Sequence, residues 1–167
     1  KLGSRLQGHP HRGDLPGIET TSGPLGSGLS EAIGMALAAR LDNKKHHIYC
    51  MTSDGEHDEG NMWEAIMFAG KERLSNLTCV IDRNNIQIDG NTEDVMPLES
   101  FKEKYQAFNW NVIEINGHDF SQIIAAVHEA RAVYEKPTVI IAHTIPGKGV
   151  SYMEHDYRWH GNPPGLV

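Results

Sequence analysis

Short apolar runs alternate with stretches of helical period along this chain, and the alternation predicts a fold class before any single residue is weighed. Residues 1–26 carry Gly3, Gly8, Pro10, Gly13, Pro16, Gly23, Pro24 and Gly26 with little periodicity and read as an irregular segment. A helix follows, with Ile33, Leu37, Ala38 and Leu41 at helical spacing. Ser27 or Ser30 is its expected cap, and the small residues around Gly34 suit close packing on a sheet. A strand over 47–53 enters a loop at 54–60. The next helix, 61–73, carries Met62, Ala65, Ile66 and Ala69 on one side, with Trp63 and Phe68 widening the apolar surface. Strand 77–82 is apolar through its centre, which suits a parallel strand buried on both faces. Residues 84–98 read as a loop. A short helix over 99–108 holds Phe101, Tyr105 and Phe108, and 110–115 alternates as a strand. Asp119 or Ser121 caps a helix to Tyr134, with Ile123, Val127, Ala130 and Tyr134 as its stripe, and 137–144 is the last strand. Residues 145–167 show no clear element. Helix and strand in strict alternation predict a doubly wound α/β domain, a mostly parallel sheet with helices on both faces and right-handed crossovers.

Composition narrows the partners. The chain has 167 residues, 39% of them hydrophobic and 22% charged, an ordinary globular balance and enough for one core. A net charge of −7 argues against nucleic acid, since a phosphate backbone calls for a basic face. Neither an apolar run of membrane length nor a secretory signal is visible, so a membrane is not expected and a cytoplasmic location is. Cys50 and Cys79 fall inside predicted strands and read as reduced, buried thiols.

The chemistry gathers at two strand ends. Ser53-Asp54-Gly55 follows one strand, and Asp82-Arg83-Asn84-Asn85 follows the next. In a parallel unit both loops lie on the same edge of the sheet, so Asp54 and Asn84 can reach one point. Each alone is an ordinary turn residue. Together, a carboxylate and an amide oxygen form a hard donor pair suited to Mg2+ or Ca2+, and Mg2+ keeps positions open for phosphate oxygens. The acidic loop Asp54, Glu56, Asp58 and Glu59 also suits the positive end of the helix it precedes. Thr20 to Gly28 is a Gly-rich run entering a helix, readable as an anion cradle or as a plain tight turn. Ten histidines invite zinc, but neither their spacing nor the cysteines match a structural zinc site. Those in Gly-rich loops are better read as hydroxyl or phosphate partners and proton carriers. His46 and His47 begin a strand and fall on the edge away from the ligand. His118 and His128 read as surface or capping residues.

These segments resemble one family. Gly8-His9-Pro10, residues 20–38, 54–65, 82–90, 144–150 and Trp159-His160-Gly161 are together similar to transketolase over nearly the whole chain. The resemblance implies a thiamine diphosphate-binding fold. Residues 1–167 would form one diphosphate-binding domain lacking its first portion, or the N-terminal subunit of a split enzyme. It implies transfer of a two-carbon ketol unit between sugar phosphates, in the pentose phosphate pathway, with thiamine diphosphate and Mg2+ (Ca2+ or Mn2+ as substitutes). By the same resemblance Asp54, Asn84 and the carbonyl of Ile86 hold the metal. Gly55 and Asn84 take the diphosphate, and Gly23, Pro24 and Leu25 approach the ring. His9 contacts the sugar, His160 lies near the cofactor and the reacting carbons, and Glu59 couples two cofactors across a dimer. The partner is a pyrimidine-binding domain or C-terminal subunit, in a homodimer or heterotetramer. Two positions depart from the pattern: Ser53 stands for a glycine, where a positive-φ turn would be strained, and Pro146 stands where relatives carry lysine. Four other readings stay open: a non-catalytic paralogue, a nucleotide-binding module, a deoxyxylulose phosphate synthase and a 2-oxoacid dehydrogenase subunit.

Overall fold

The segment Leu77–Arg83 (β2) has nowhere to put its apolar side chains except between two layers, and it lies inside a four-stranded sheet. The structure, a computed structural model, describes residues 4–165. The strands are Ile48–Ser53 (β1), β2, Asn111–Asn116 (β5) and Thr138–His143 (β6). Their order is β1-β2-β6-β5, and every pairing is parallel. The doubly wound expectation therefore holds. The predicted loop 84–98 is richer than expected: Ile86–Gln87 (β3) and Gly90–Asn91 (β4) form a small antiparallel hairpin, followed by the short helix Thr92–Val95 (α3). Elements of two to four residues carry too little periodicity to stand out in a sequence.

Alternation along the strands splits the core in two. Cys79, Ile81, Val139 and Ile141 face Ser27–Leu41 (α1), Gly60–Lys71 (α2) and Phe101–Ala107 (α4). Ile140, Ala142 and Ile115 face Phe120–Ala132 (α5) instead. Met62, Ala65, Ile66 and Ala69 of α2 are all buried, as their spacing predicts. Cys50 and Cys79 are register partners on neighbouring strands and both are free thiols. Burial pushes the Cys79 thiol up to about 12, so it stays protonated near neutrality.

Helix α1 corrects two expectations. Its buried face is Leu29, Ala32, Ile33, Ala36 and Ala39, while Ala38 and Leu41 are exposed and Gly34 meets nothing. Neither serine caps it. Gly26 is the N-cap at φ +77, a left-handed conformation that suits glycine, and the Ser27 hydroxyl donates back to the Pro24 carbonyl. In α5, Asp119 is the cap, accepting from the N–H groups of Ser121 and Gln122, but Tyr134 falls beyond the helix end and is exposed. Among the described residues no helix is long and apolar enough to cross a membrane.

Candidate functional site at the carboxyl ends of the strands

All four main-sheet strands end on one edge, and main-chain bonds knit their exits together. Asp54 donates its N–H to the Asp82 carbonyl at 3.3 Å, Thr144 to Arg83 at 3.1 Å, and Gly117 to His143 at 2.8 Å. The Thr144 hydroxyl also donates to the Asp82 carboxylate. His47 lies at the opposite edge, where its Nε2 pairs with the Thr78 hydroxyl at 2.8 Å.

Asp54 is fully buried. Its Oδ1 accepts from the Gly55 N–H at 2.8 Å. Its Oδ2 accepts from the Asn85 N–H at 2.7 Å and from Arg83 Nη1 at 3.1 Å. The two strand-end loops thus meet at this carboxylate. Burial raises the Asp54 carboxyl above the usual carboxylate range, and the N–H groups and the guanidinium work against that rise. Asn84 turns its amide to the loop, donating to Asp82 at 3.2 Å and accepting the Ile86 N–H at 3.0 Å. Asn85 makes the turn possible at φ +67.

Arg83 was not singled out by sequence, yet it organises this edge. Its guanidinium is 2% exposed and bonds Asp54, the Thr92 hydroxyl, Glu93 and Glu99 while lying over the Phe101 ring. Burial pulls its pKa down, but the bonds to Glu93, Glu99 and Asp54 outweigh that and hold it above its ordinary value. A lone arginine closing an apolar strand opposite an Asp-Gly turn was the available signal.

Glu56 was also missed as an individual. Ser53 donates its N–H to Glu56 Oε2 at 2.8 Å, and Glu56 donates its N–H to Ser53 Oγ at 3.3 Å. This is the reciprocal pairing of a capping box, and the Ser-x-x-Glu spacing announces it. Ser53 is therefore unstrained: among the described residues the left-handed non-glycine positions are elsewhere. Next to it, His57 donates Nδ1–H to the Ser53 carbonyl at 2.9 Å and accepts from the Tyr105 hydroxyl at Nε2, 2.8 Å away. Burial pulls its pKa to about 4, so the ring is neutral near pH 7.

The remaining predicted residues fall around this centre. A Cβ on Gly23 would lie 3.4 Å from His9 Cγ, so these two are neighbours. Segments 10–12 and 21–22 are tied by Ser22 N–H to the Pro10 carbonyl and Arg12 N–H to the Thr21 hydroxyl. Pro24 and Leu25 are exposed, Leu25 by 59%. A Cβ on Gly26 would come within 2.9 Å of Glu59 Cβ, which puts the Gly-rich loop on the acidic loop, while the Glu59 side chain stays exposed. His160 lies apart: it ends a short 3-10 turn at Tyr157–Trp159 and is exposed. Among the described residues no hydrogen bond joins its ring to Asp54, Asn84 or His9. Pro146 accepts the His155 N–H at 3.2 Å, and Lys148 is exposed. Among the described residues no group of three or more His, Cys, Asp or Glu is placed to hold a metal. A carboxylate with an amide and a main-chain carbonyl is a donor set of a different kind.

A parallel sheet whose strand ends meet at one buried carboxylate belongs to the doubly wound α/β class that binds ligands along that edge. Its backbone is similar to transketolase from Campylobacter jejuni, with a TM-score of 0.88 and 35% identity over 96% of this chain and 26% of that one. The model for the thiamine diphosphate binding domain of transketolase matches residues 1–166, and the chain belongs to that family. It is 44% identical, over 98% of its length, to an apulose-4-phosphate transketolase subunit of Phocaeicola vulgatus. It is 45% identical, over 95% of its length, to the 6-deoxy-6-sulfo-D-fructose transketolase subunit SqwG of a Clostridium species. The chain spans 58% of the length of each of these relatives.

Proposed function

We infer that this chain is the diphosphate- and metal-holding half of a transketolase-type site, which moves a two-carbon ketol unit from a ketose to an aldose, the sugars being phosphorylated. The observation that carries the reading is the 2.7 Å bond from the Asn85 N–H to Asp54 Oδ2, which joins the two motif loops at one point. Asp54, Asn84 and the Ile86 carbonyl would hold the cation, and Gly55 and Asn84 the diphosphate. The donors are all hard oxygens, as Mg2+ requires. Two donors already fill Asp54 Oδ2, while Oδ1 takes one, so the carboxylate has a single lone pair to offer. One-oxygen ligation suits the small octahedral ions Mg2+ and Mn2+ better than Ca2+, which often takes carboxylates through both oxygens.

Thiamine diphosphate, when bound, supplies a nucleophilic carbon and an electron sink for the two-carbon fragment. The chain's own groups do the rest. Gly23, Pro24 and Leu25 meet the ring end, where exposed Leu25 offers apolar surface. His9, beside Gly23, moves a proton on and off a sugar hydroxyl, and His160 serves the same end from the C-terminal tail. Glu59 presents its carboxylate outward, toward a second site in the assembly. The pyrimidine-binding half comes from a partner domain or subunit, in a homodimer or heterotetramer. Reduced, buried cysteines support a cytoplasmic setting, in pentose phosphate-type sugar metabolism.

The test is calorimetric binding of thiamine diphosphate with Mg2+ to the full-length protein with its partner chain present. Asp54→Ala should lower affinity by more than about a hundredfold, beyond the roughly ten- to hundredfold that a supporting residue costs. Equal affinity for wild type and variant would sink the metal assignment.

A further inference from the structure

Helix α1 has no side-chain cap of its own, and its Gly26 N-cap N–H points at a carboxylate from another element. Glu56 Oε1 accepts that N–H at 2.8 Å, while Oε2 of the same group accepts the Ser53 N–H at 2.8 Å. One side chain thus bridges two main-chain segments. On one side lies the Gly23–Gly26 loop, with His9 packed on it. On the other lies the end of β1, one residue before Asp54. A charged acceptor makes both bonds short and directional. Its negative charge also sits at the positive end of α1, which answers the anion-cradle reading of the Gly-rich run from within the chain.

We propose that Glu56 is a positioning residue that fixes the distance between the loop meeting the cofactor's ring end and the loop meeting its diphosphate end. The inference rests on the site assigned under the proposed function. A ligand that spans both loops gains from having their separation preset, since less freedom is lost on binding. A ligand that touches only the metal loop gains nothing from it. The loop Gly23–Gly26 cannot hold its place by packing alone, because Gly23, Pro24 and Leu25 are exposed.

That difference gives the experiment. Glu56→Gln keeps the side chain's size but presents an N–H2 to one of the two N–H groups, so one bond is lost. Glu56→Asp keeps the charge but is a methylene too short to reach both. In the full-length protein with its pyrimidine-binding chain, two dissociation constants are measured in Mg2+, for thiamine diphosphate and for inorganic pyrophosphate. Both variants should weaken thiamine diphosphate about ten- to a hundredfold, the worth of one hydrogen bond to a charged group, and leave pyrophosphate within about twofold. Unchanged affinity for both ligands overturns the proposal, and so does an equal loss for both, which would mark Glu56 as merely structural. Wild type binding neither ligand would overturn the underlying site assignment as well, and so separates that failure from this one.

Discussion

His57 makes the stability of this protein depend on pH in a way that can be worked out. The ring is 1% exposed, stacks edge-on against Phe101 and Trp63, and has both nitrogens engaged. Its pKa is about 4 in the fold against 6.5 for a free histidine. Between those values the unfolded chain binds a proton that the folded chain refuses. Stability is therefore complete above pH 6.5 and is lost as pH falls through the window toward 4. Over the whole window the loss is about 3 kcal/mol, and about 2 kcal/mol of it is reached by pH 5. Urea unfolding followed by circular dichroism reads this directly. With a slope of about 2 kcal/mol per molar, the wild-type midpoint should fall by about 1 M between pH 8 and pH 5. His57→Gln removes the titrating group and should be less stable at pH 8, but its midpoint should move much less. Comparing the two cancels the other histidines and the carboxylates that titrate in the range. Parallel midpoints for wild type and variant from pH 8 to pH 5 would refute the reasoning, because His57 would then be free to take a proton in place.

Arg83→Met leaves the Asp54 carboxylate buried without its cation, and scanning calorimetry should show a loss of about 4 kcal/mol, or about 10 °C in Tm. Adding Asp54→Asn to that variant should recover at least about 1 kcal/mol, whereas strict additivity would mean the two groups do not interact. Gly70 sits in α2, where alanine would ordinarily help a helix, but its Cβ would fall 1.8 Å from the Phe108 carbonyl oxygen. Gly70→Ala should therefore cost about 2 kcal/mol in chemical unfolding, and a stabilised variant would show that the 108–110 turn can move aside.

How far the sequence reached depended on how local each signal was. Strands β2 and β6 were legible because they are mostly buried and apolar through their centres, and α2 because its apolar positions repeat at one period. The inward face of helix α1 was not, because apolar residues surround it, although the helix itself and the burial of Ile33 were. Leu29, Ala32 and Ala36 pack inward while Leu41 is 79% exposed, and packing on β1 and α2, not period, selects the face. The serine cap failed for a backbone reason: the N-cap is left-handed, so the chain uses Gly26 and draws its acceptor from Glu56, thirty residues away. Asp54 and Asn84 could be placed at the strand ends because an Asp-Gly and an Asn-Asn turn mark them. Arg83, the residue that binds those turns to α3 and to Glu99, lay in plain view inside the motif, but its partners are set by tertiary folding. His160 is the reverse case, a residue assigned by resemblance that this chain leaves on an exposed tail.

The charges around Asp54 explain how a buried carboxylate can sit at the edge of the sheet without collapsing it and, on the proposed reading, face a cation. An unpaired carboxylate there would cost several kcal/mol or take up a proton. Arg83 prevents both, yet it does not cancel Asp54, because the same guanidinium is shared with Glu93 and Glu99. Three carboxylates against one guanidinium leave two negative charges in excess. Glu93 and Glu99 are 41% and 53% exposed, so water screens their share. Asp54 is wholly buried and unscreened, so it is where a cation placed beside it gains most. Had Arg83 paired with Asp54 alone, the charge on the buried carboxylate itself would be offset and a divalent ion beside it would have less to gain. On the proposed reading, drawing the guanidinium partly away keeps this position tolerable without a metal and favourable to one.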